Sequence, residues 1–194
     1  MLINKNSDRG DTLVEVLLAL TILSVVIVSS LVLMNRGQAV ALNSLERSQV
    51  QNLISEQGQM LSYVRDAYAD VLAGGQTPQA GTAAEIWQTI MSTYTTTPNT
   101  DVCTAAGAPN RAAGSFYLTY NTAPAANPVS ITPYLGAPAA TFAMPGQGLW
   151  VEAQSFSGAG VNKPYVDFFI KGCWQPSGTG ANQESKNVVR LYAP

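Results

Sequence analysis

Nineteen consecutive residues from Val16 to Met34, VLLALTILSVVIVSSLVLM, carry no charge, no proline and no glycine. A helix of that length rises about 28 Å, roughly the thickness of a bilayer's hydrocarbon. The pattern then changes without a break. From Ala39 to Ala73 there is no proline, and apolar or weakly polar side chains recur at Leu42, Leu45, Val50, Leu53, Ile54, Met60, Leu61, Val64, Tyr68, Val71 and Leu72. Steps of three and four make one stripe of an amphipathic helix. Glu46, Arg47, Glu56, Arg65, Asp66 and Asp70 fall largely outside it. Gly58 costs such a helix about 1 kcal/mol relative to alanine, and Gly74-Gly75 stops it. Residues 12–73 thus read as one helix of roughly 90 Å at 1.5 Å per residue. Its first half suits a membrane or a fibre core, and its second half suits packing on a head. A coiled coil is the alternative for the second half, and the irregular heptads argue against it.

The periodicity beyond residue 76 is different. Ala83 to Tyr94 (AAEIWQTIMSTY) predicts a short helix with Ile86, Trp87, Ile90 and Met91 on one face, Trp87 being a packing residue. Thr95 to Asn110 is a Thr/Pro/Ala/Asn loop that contains Cys103. Strand patterns follow at Ser115–Tyr120, Val129–Tyr134, Ala140–Met144, Gly148–Phe156, Tyr165–Gly172 and Asn187–Tyr192. The second and third are flanked by proline and suit edge or irregular strands. Ser157 to Pro164, with two glycines, joins the two strongest strands as a hairpin loop. Four antiparallel strands with one face against a long helix make a workable α+β head.

Composition narrows the function. The chain has 194 residues, ten basic and twelve acidic, a formal net charge of −2 and 11% charged residues, against about 25% in ordinary globular chains. No basic excess is present to neutralise a phosphate backbone, so no specific nucleic acid is expected as partner. The sequence has no histidine, which removes the commonest general base and metal-binding nitrogen. Glu152, Asp167 and Glu184 read as isolated surface acids. Gly146-Gln147-Gly148 and Gly178-Thr179-Gly180 lack the strand–helix context of a phosphate loop. No catalytic residue, cofactor or metal site is expected, and the Thr/Ala/Pro loops read as passive spacers, with carrying sugars or contacting a host surface as the alternative.

Glu15 is the unusual residue, an acid one position from the apolar run. A carboxylate costs about 2.5–3.5 kcal/mol at a membrane helix centre and less near its end. Thr12-Leu13-Val14-Glu15 also has the form of a capping box, and an acid in the first turn suits the helix dipole. The residues alone leave capping and a special role equally open. Ahead lies the leader MLINKNSDRG, with Lys5 and Arg9 against Asp8. That charge favours a cytoplasmic N-terminus with the bulk of the chain translocated. Ala39-Val40-Ala41 offers a signal-peptidase pattern, but nineteen apolar residues exceed a 7–15-residue h-region.

The stretch Arg9-Gly10-Asp11-Thr12-Leu13-Val14-Glu15, running into Val16–Leu23, resembles the processing site of type IV prepilins. Leader, Gly10, the fifth-position Glu15 and the uncharged run coincide. The family usually has Phe after the cut, where this chain has Asp11, and many of its major members carry a Gly and a Pro in the run, where this chain has neither. The resemblance implies cleavage between Gly10 and Asp11 by a membrane aspartyl prepilin peptidase, N-methylation of the new terminus, and pairing of Glu15 with the amine of Asp11 on a neighbouring subunit. It implies a pilin-like α+β fold, a long helix on an antiparallel sheet. Residues 1–10 are then a leader, 11–36 the transmembrane and assembly helix, 37–75 its amphipathic half, and 76–194 the head. An extracellular head favours a Cys103–Cys173 disulfide, and pilin heads often carry such a bond, although two free buried thiols remain open.

The expected role is a structural subunit of a type IV pilus-like filament for adhesion, motility or DNA uptake. The expected partners are membrane lipid, the prepilin peptidase, an inner-membrane assembly platform, and other pilins, identical or not. The chain would sit in the cytoplasmic membrane before assembly and on the cell surface after it. A pseudopilin of a secretion or competence system shares the same N-terminus. Calcium-binding pseudopilins need clustered acids near the C-terminus, where Glu184 stands alone. A membrane-anchored adhesin that never polymerises is the alternative of another class.

Overall fold

The computed structural model describes residues 11–104, 109–120, 129–133, 148–157, 163–176 and 182–194. The leader with Gly10, the expected strand Ala140–Met144 and most of the Ser157–Pro164 loop lie outside the described residues. The order is α1 (Asp11–Ala73), α2 (Ala83–Thr93), β1 (Phe116–Tyr120), β2 (Val129–Pro133), β3 (Gly148–Phe156), β4 (Tyr165–Trp174) and β5 (Gln183–Tyr192). The fold is α+β, a long N-terminal helix followed by an antiparallel sheet of order β2-β1-β3-β4-β5. The chain divides into two compact units, residues 1–44 and 45–194.

In the first unit, the apolar side chains from Leu13 to Met34 are exposed. The hydroxyls of this stretch bond to their own helix. Thr21 Oγ1 donates to the Leu18 carbonyl, Ser24 to Leu20 and Ser29 to Val25, each at 2.7 Å, and Ser30 donates to Val26 at 2.8 Å. No hydroxyl proton on these four residues needs water, which is the condition for lying in hydrocarbon.

In the second unit, α1 ends in a Schellman motif. Gly75 is left-handed at φ 66°, and Gln76 N–H donates to Val71 O at 3.0 Å while Gly75 N–H donates to Leu72 O at 2.9 Å. The buried face runs through Glu46, Val50, Ile54, Gln57, Leu61 and Val64. This corrects the expected stripe at its start, because Leu42 and Leu45 are exposed while Glu46 is buried. Burial follows the steps of four and three, on which Glu46 and Gln57 fall and Leu45 does not. Gly172 of β4 lets the helix come close, since a Cβ there would meet Val50 Cγ1 at 3.1 Å. On the same face, Val151, Ala153, Val166, Phe168, Ile170 and Leu191 form the core with Phe116 and Leu118. The Thr82 N-cap starts α2, with Glu85 N–H donating to its hydroxyl. The helix places Trp87 against Phe168 with ring centroids 5.7 Å apart, as a packing residue.

Five strands are described, with β4 and β5 longer than expected. Their ladder runs from Tyr165↔Tyr192 to Trp174↔Gln183. β5 is an edge strand, mostly exposed, so its register is held by backbone pairing and needs no apolar alternation over Gln183–Lys186. At the other side, β2 is the opposite edge. β1 pairs with β2 along its whole length but with β3 only at Phe116↔Val151. Gln57 fills the gap. Its Nε2 donates to Leu118 O at 2.7 Å, and Leu118 N–H donates to its Oε1 at 2.9 Å. One side-chain amide thus stands in for a missing neighbouring strand. Gln57→Leu strands a buried donor and a buried acceptor, each costing about 1–3 kcal/mol. Urea unfolding of the variant is expected to show a loss of about 2 kcal/mol or more, and a loss below about 0.5 kcal/mol would contradict this role for the amide.

The other face of the sheet is covered by the stretches 95–104 and 109–112. At the edge of β3, Thr96 N–H donates to Ala153 O at 2.7 Å in a parallel bridge, and over the face a Cβ on Gly148 would meet Arg111 Nη2 at 2.9 Å and Pro109 Cγ at 3.0 Å. The expected spacer is therefore a strap laid on β3 and β4.

Candidate functional site: the N-terminal segment and the strap

Asp11 is the first residue of α1, and Glu15 follows four positions later, so the two share one side of the first helical turns. Gly10 lies outside the described residues. Thr12 is already helical, so it is not the N-cap that the capping-box reading required. Behind Glu15, the run Val16–Met34 belongs to a helix long and apolar enough to cross a membrane. The arrangement is an acid at the very start of a span whose polar side chains are otherwise satisfied internally. Residues 5–31 match the prokaryotic N-terminal methylation motif.

That motif is the class III signal peptide of type IV pilins. The match is confined to the N-terminal segment and does not reach the head. It supports a type IV pilin-like or pseudopilin protein, and it implies in general terms assembly with other pilins and processing by a prepilin peptidase. With the long apolar helix it points to membrane anchoring and a surface filament, and to a structural protein. No curated protein and no solved structure matches the chain.

In the head, Cys103 and Cys173 are joined, with their Cα atoms 5.6 Å apart and 70 positions between them in sequence. The bond ties the strap to β4. Closing a loop of that size stabilises by roughly 4 kcal/mol on chain-entropy grounds.

The acids of the sheet are where the sequence reading fails. Glu152 is fully buried beneath the strap and paired with Lys171, also fully buried, at 2.6 Å. Its Oε1 accepts from Trp150 Nε1 at 2.7 Å and from Ala112 N–H at 3.0 Å. Its Oε2 accepts from Asn99 N–H at 3.0 Å, and Lys171 Nζ also donates to Asn99 O at 2.6 Å. Asp167 is likewise engaged, accepting from Arg190 Nε at 2.7 Å and Nη2 at 2.8 Å. That hydrogen-bonded carboxylate pushes the guanidinium pKa up. Arg190 also lies 4.1 Å from the Tyr165 ring centroid. Glu184 is exposed on β5, in register with Cys173. Among the described residues no group of three or more His, Cys, Asp or Glu could hold a metal ion.

A signal for the buried pair was available. Trp150 and Glu152 are two apart on a strand and so share a face. Lys171 interrupts the apolar run FFIKGCW at the position that registers with Trp150. A charge inside such a run is buried with a partner or it breaks the strand.

Proposed function

We propose that the chain is a structural subunit of a type IV pilus-like surface filament, serving adhesion, motility or DNA uptake. Residues 1–10 are the leader, removed between Gly10 and Asp11. Residues 11–36 are the membrane and assembly helix, 37–75 its amphipathic continuation, and 76–194 the head. The observation that carries this reading is the matched N-terminal motif with Glu15 fifth after Gly10.

The physics is an exchange of solvents. Before assembly the apolar helix lies in the cytoplasmic membrane, crossing once with its N-terminus inside. Afterwards it packs among the helices of other pilins, identical or not, at an inner-membrane assembly platform. An unpaired carboxylate in a low-dielectric fibre core is expensive, and a paired one is tolerable. The amine created at Asp11 of a neighbouring subunit is the partner for Glu15, so the pair fixes the axial register of one subunit against the next. N-methylation leaves that amine cationic, and the pairing does not depend on it.

Mass spectrometry of the mature N-terminus tests the processing step. A chain starting at Asp11 is expected, with or without one added methyl group. A start at Met1 or Leu2 identifies an uncut anchor, and a start at Leu42 identifies ordinary secretion after Ala39-Val40-Ala41. Either result rejects the proposal. Recovery of the cut chain from sheared surface filaments, rather than from a short periplasmic assembly, distinguishes a pilin from a pseudopilin.

A further inference from the structure

We infer that the buried Glu152–Lys171 pair docks the strap before the disulfide exists, and that this docking selects and holds the Cys103–Cys173 pairing. The anchors of the strap bracket Cys103. Asn99 is four residues before it and Ala112 nine residues after, and both give their backbone N–H to the one carboxylate of Glu152, at 3.0 Å each. The two stretches are also fastened to each other. Asn110 N–H donates to Val102 O at 2.9 Å, and Asn99 Nδ2 donates to Asn110 O at 3.2 Å. On the sheet side, Lys171 and Cys173 are two apart on β4 and share a face. Because Lys171 Nζ holds Asn99 O at 2.6 Å, the strap can meet β4 in one register, with Cys103 over Cys173 at a Cα separation of 5.6 Å. That separation lies in the range a disulfide needs without backbone movement. None of these anchors involves sulfur, so reduction removes none of their donors or acceptors.

The covalent step is thiol–disulfide exchange with a small disulfide oxidant such as oxidised glutathione. The Cys103 or Cys173 thiolate attacks the oxidant and releases one glutathione thiolate. The second cysteine then attacks the mixed disulfide and releases the other. Two protein thiols are oxidised and one glutathione disulfide is reduced to two thiols, which take up the two protons the cysteines gave up.

The experiment measures the effective concentration of the two thiols, using the full chain in detergent micelles equilibrated with reduced and oxidised glutathione. The double variant Glu152→Met with Lys171→Met removes the charges and keeps apolar packing between β3 and β4. It is expected to lower the effective concentration about tenfold or more, the factor that corresponds to losing a single charge-assisted hydrogen bond. A value within twofold of the parent chain overturns the inference. A second measurement needs no change in the pair. In Cys103→Ser with Cys173→Ser, Lys171 is expected to stay unreactive to an amine-acylating reagent while exposed Lys163 and Lys186 are modified. Acylation of Lys171 in that variant shows that the strap needs the disulfide to dock, and it rejects the inference even if the first variant does not fold. Both readouts are independent of whether the chain polymerises.

Discussion

Glu15→Ala leaves the chain in the membrane but cuts its incorporation into filaments at least tenfold. The two halves of this expectation have different causes. In lipid, the variant loses a carboxylate at the edge of an apolar span, so insertion becomes easier. In the fibre, on the proposed pairing, the amine at Asp11 of the neighbouring subunit loses its counter-charge. A buried ion pair broken on one side costs about 3–5 kcal/mol, which exceeds the factor of ten that about 1.4 kcal/mol supplies. Immunoblots of sheared filaments against the membrane fraction read both compartments in one experiment. Equal filament yield from the variant and the parent would remove the pairing role from Glu15. Asp11 sharpens the result. It places a second acid beside the same amine, so Glu15→Gln, which keeps the shape and removes the charge, separates charge pairing from side-chain packing. If pairing governs, Glu15→Gln fails like alanine.

Lys171→Met has the largest expected effect on the head, a loss of about 3–5 kcal/mol. Typical domains have only about 5–15 kcal/mol in total. Lys171 is fully buried, and its removal leaves Glu152 as an uncompensated charge under the strap. Three other donors still reach that carboxylate, from Trp150, Asn99 and Ala112, and none of them carries a positive charge. Denaturant unfolding of the detergent-solubilised chain measures the loss. Adding Glu152→Met to Lys171→Met is expected to restore most of the stability of the sheet, because apolar replacement of a buried pair is close to neutral. The strap then has lost its polar anchors, and its coverage of β3 rests on the disulfide and the Thr96–Ala153 bond. A single-variant loss under about 1 kcal/mol would mean that water reaches Glu152, contrary to its burial.

What could be read from residue order alone was whatever depends on neighbours along the chain. The uncharged run Val16–Met34, the proline-free continuation to Ala73 and the Gly74-Gly75 stop define α1, because helix continuation and termination are local events. The limits of α2 were close to the expected ones for the same reason, and so were those of β3. The matched N-terminal motif is also local, a spacing of one glycine, one acid and one apolar stretch.

The tertiary structure decided everything that depends on who lies opposite whom. Three acids of similar appearance, Glu152, Asp167 and Glu184, end in three environments: buried and paired, engaged with a half-exposed arginine, and exposed at the sheet edge. Apart from Trp150 two positions before Glu152, nothing in their immediate neighbours along the chain separates them. The difference comes from strand register, which sets Lys171 beside Glu152 and Arg190 opposite Asp167, and from a strap that covers only part of one face. Gln57 and Leu118 make the same point across 61 positions of sequence. A polar side chain joins the core when a backbone elsewhere leaves two bonds unmade, and that vacancy exists only once the sheet has formed.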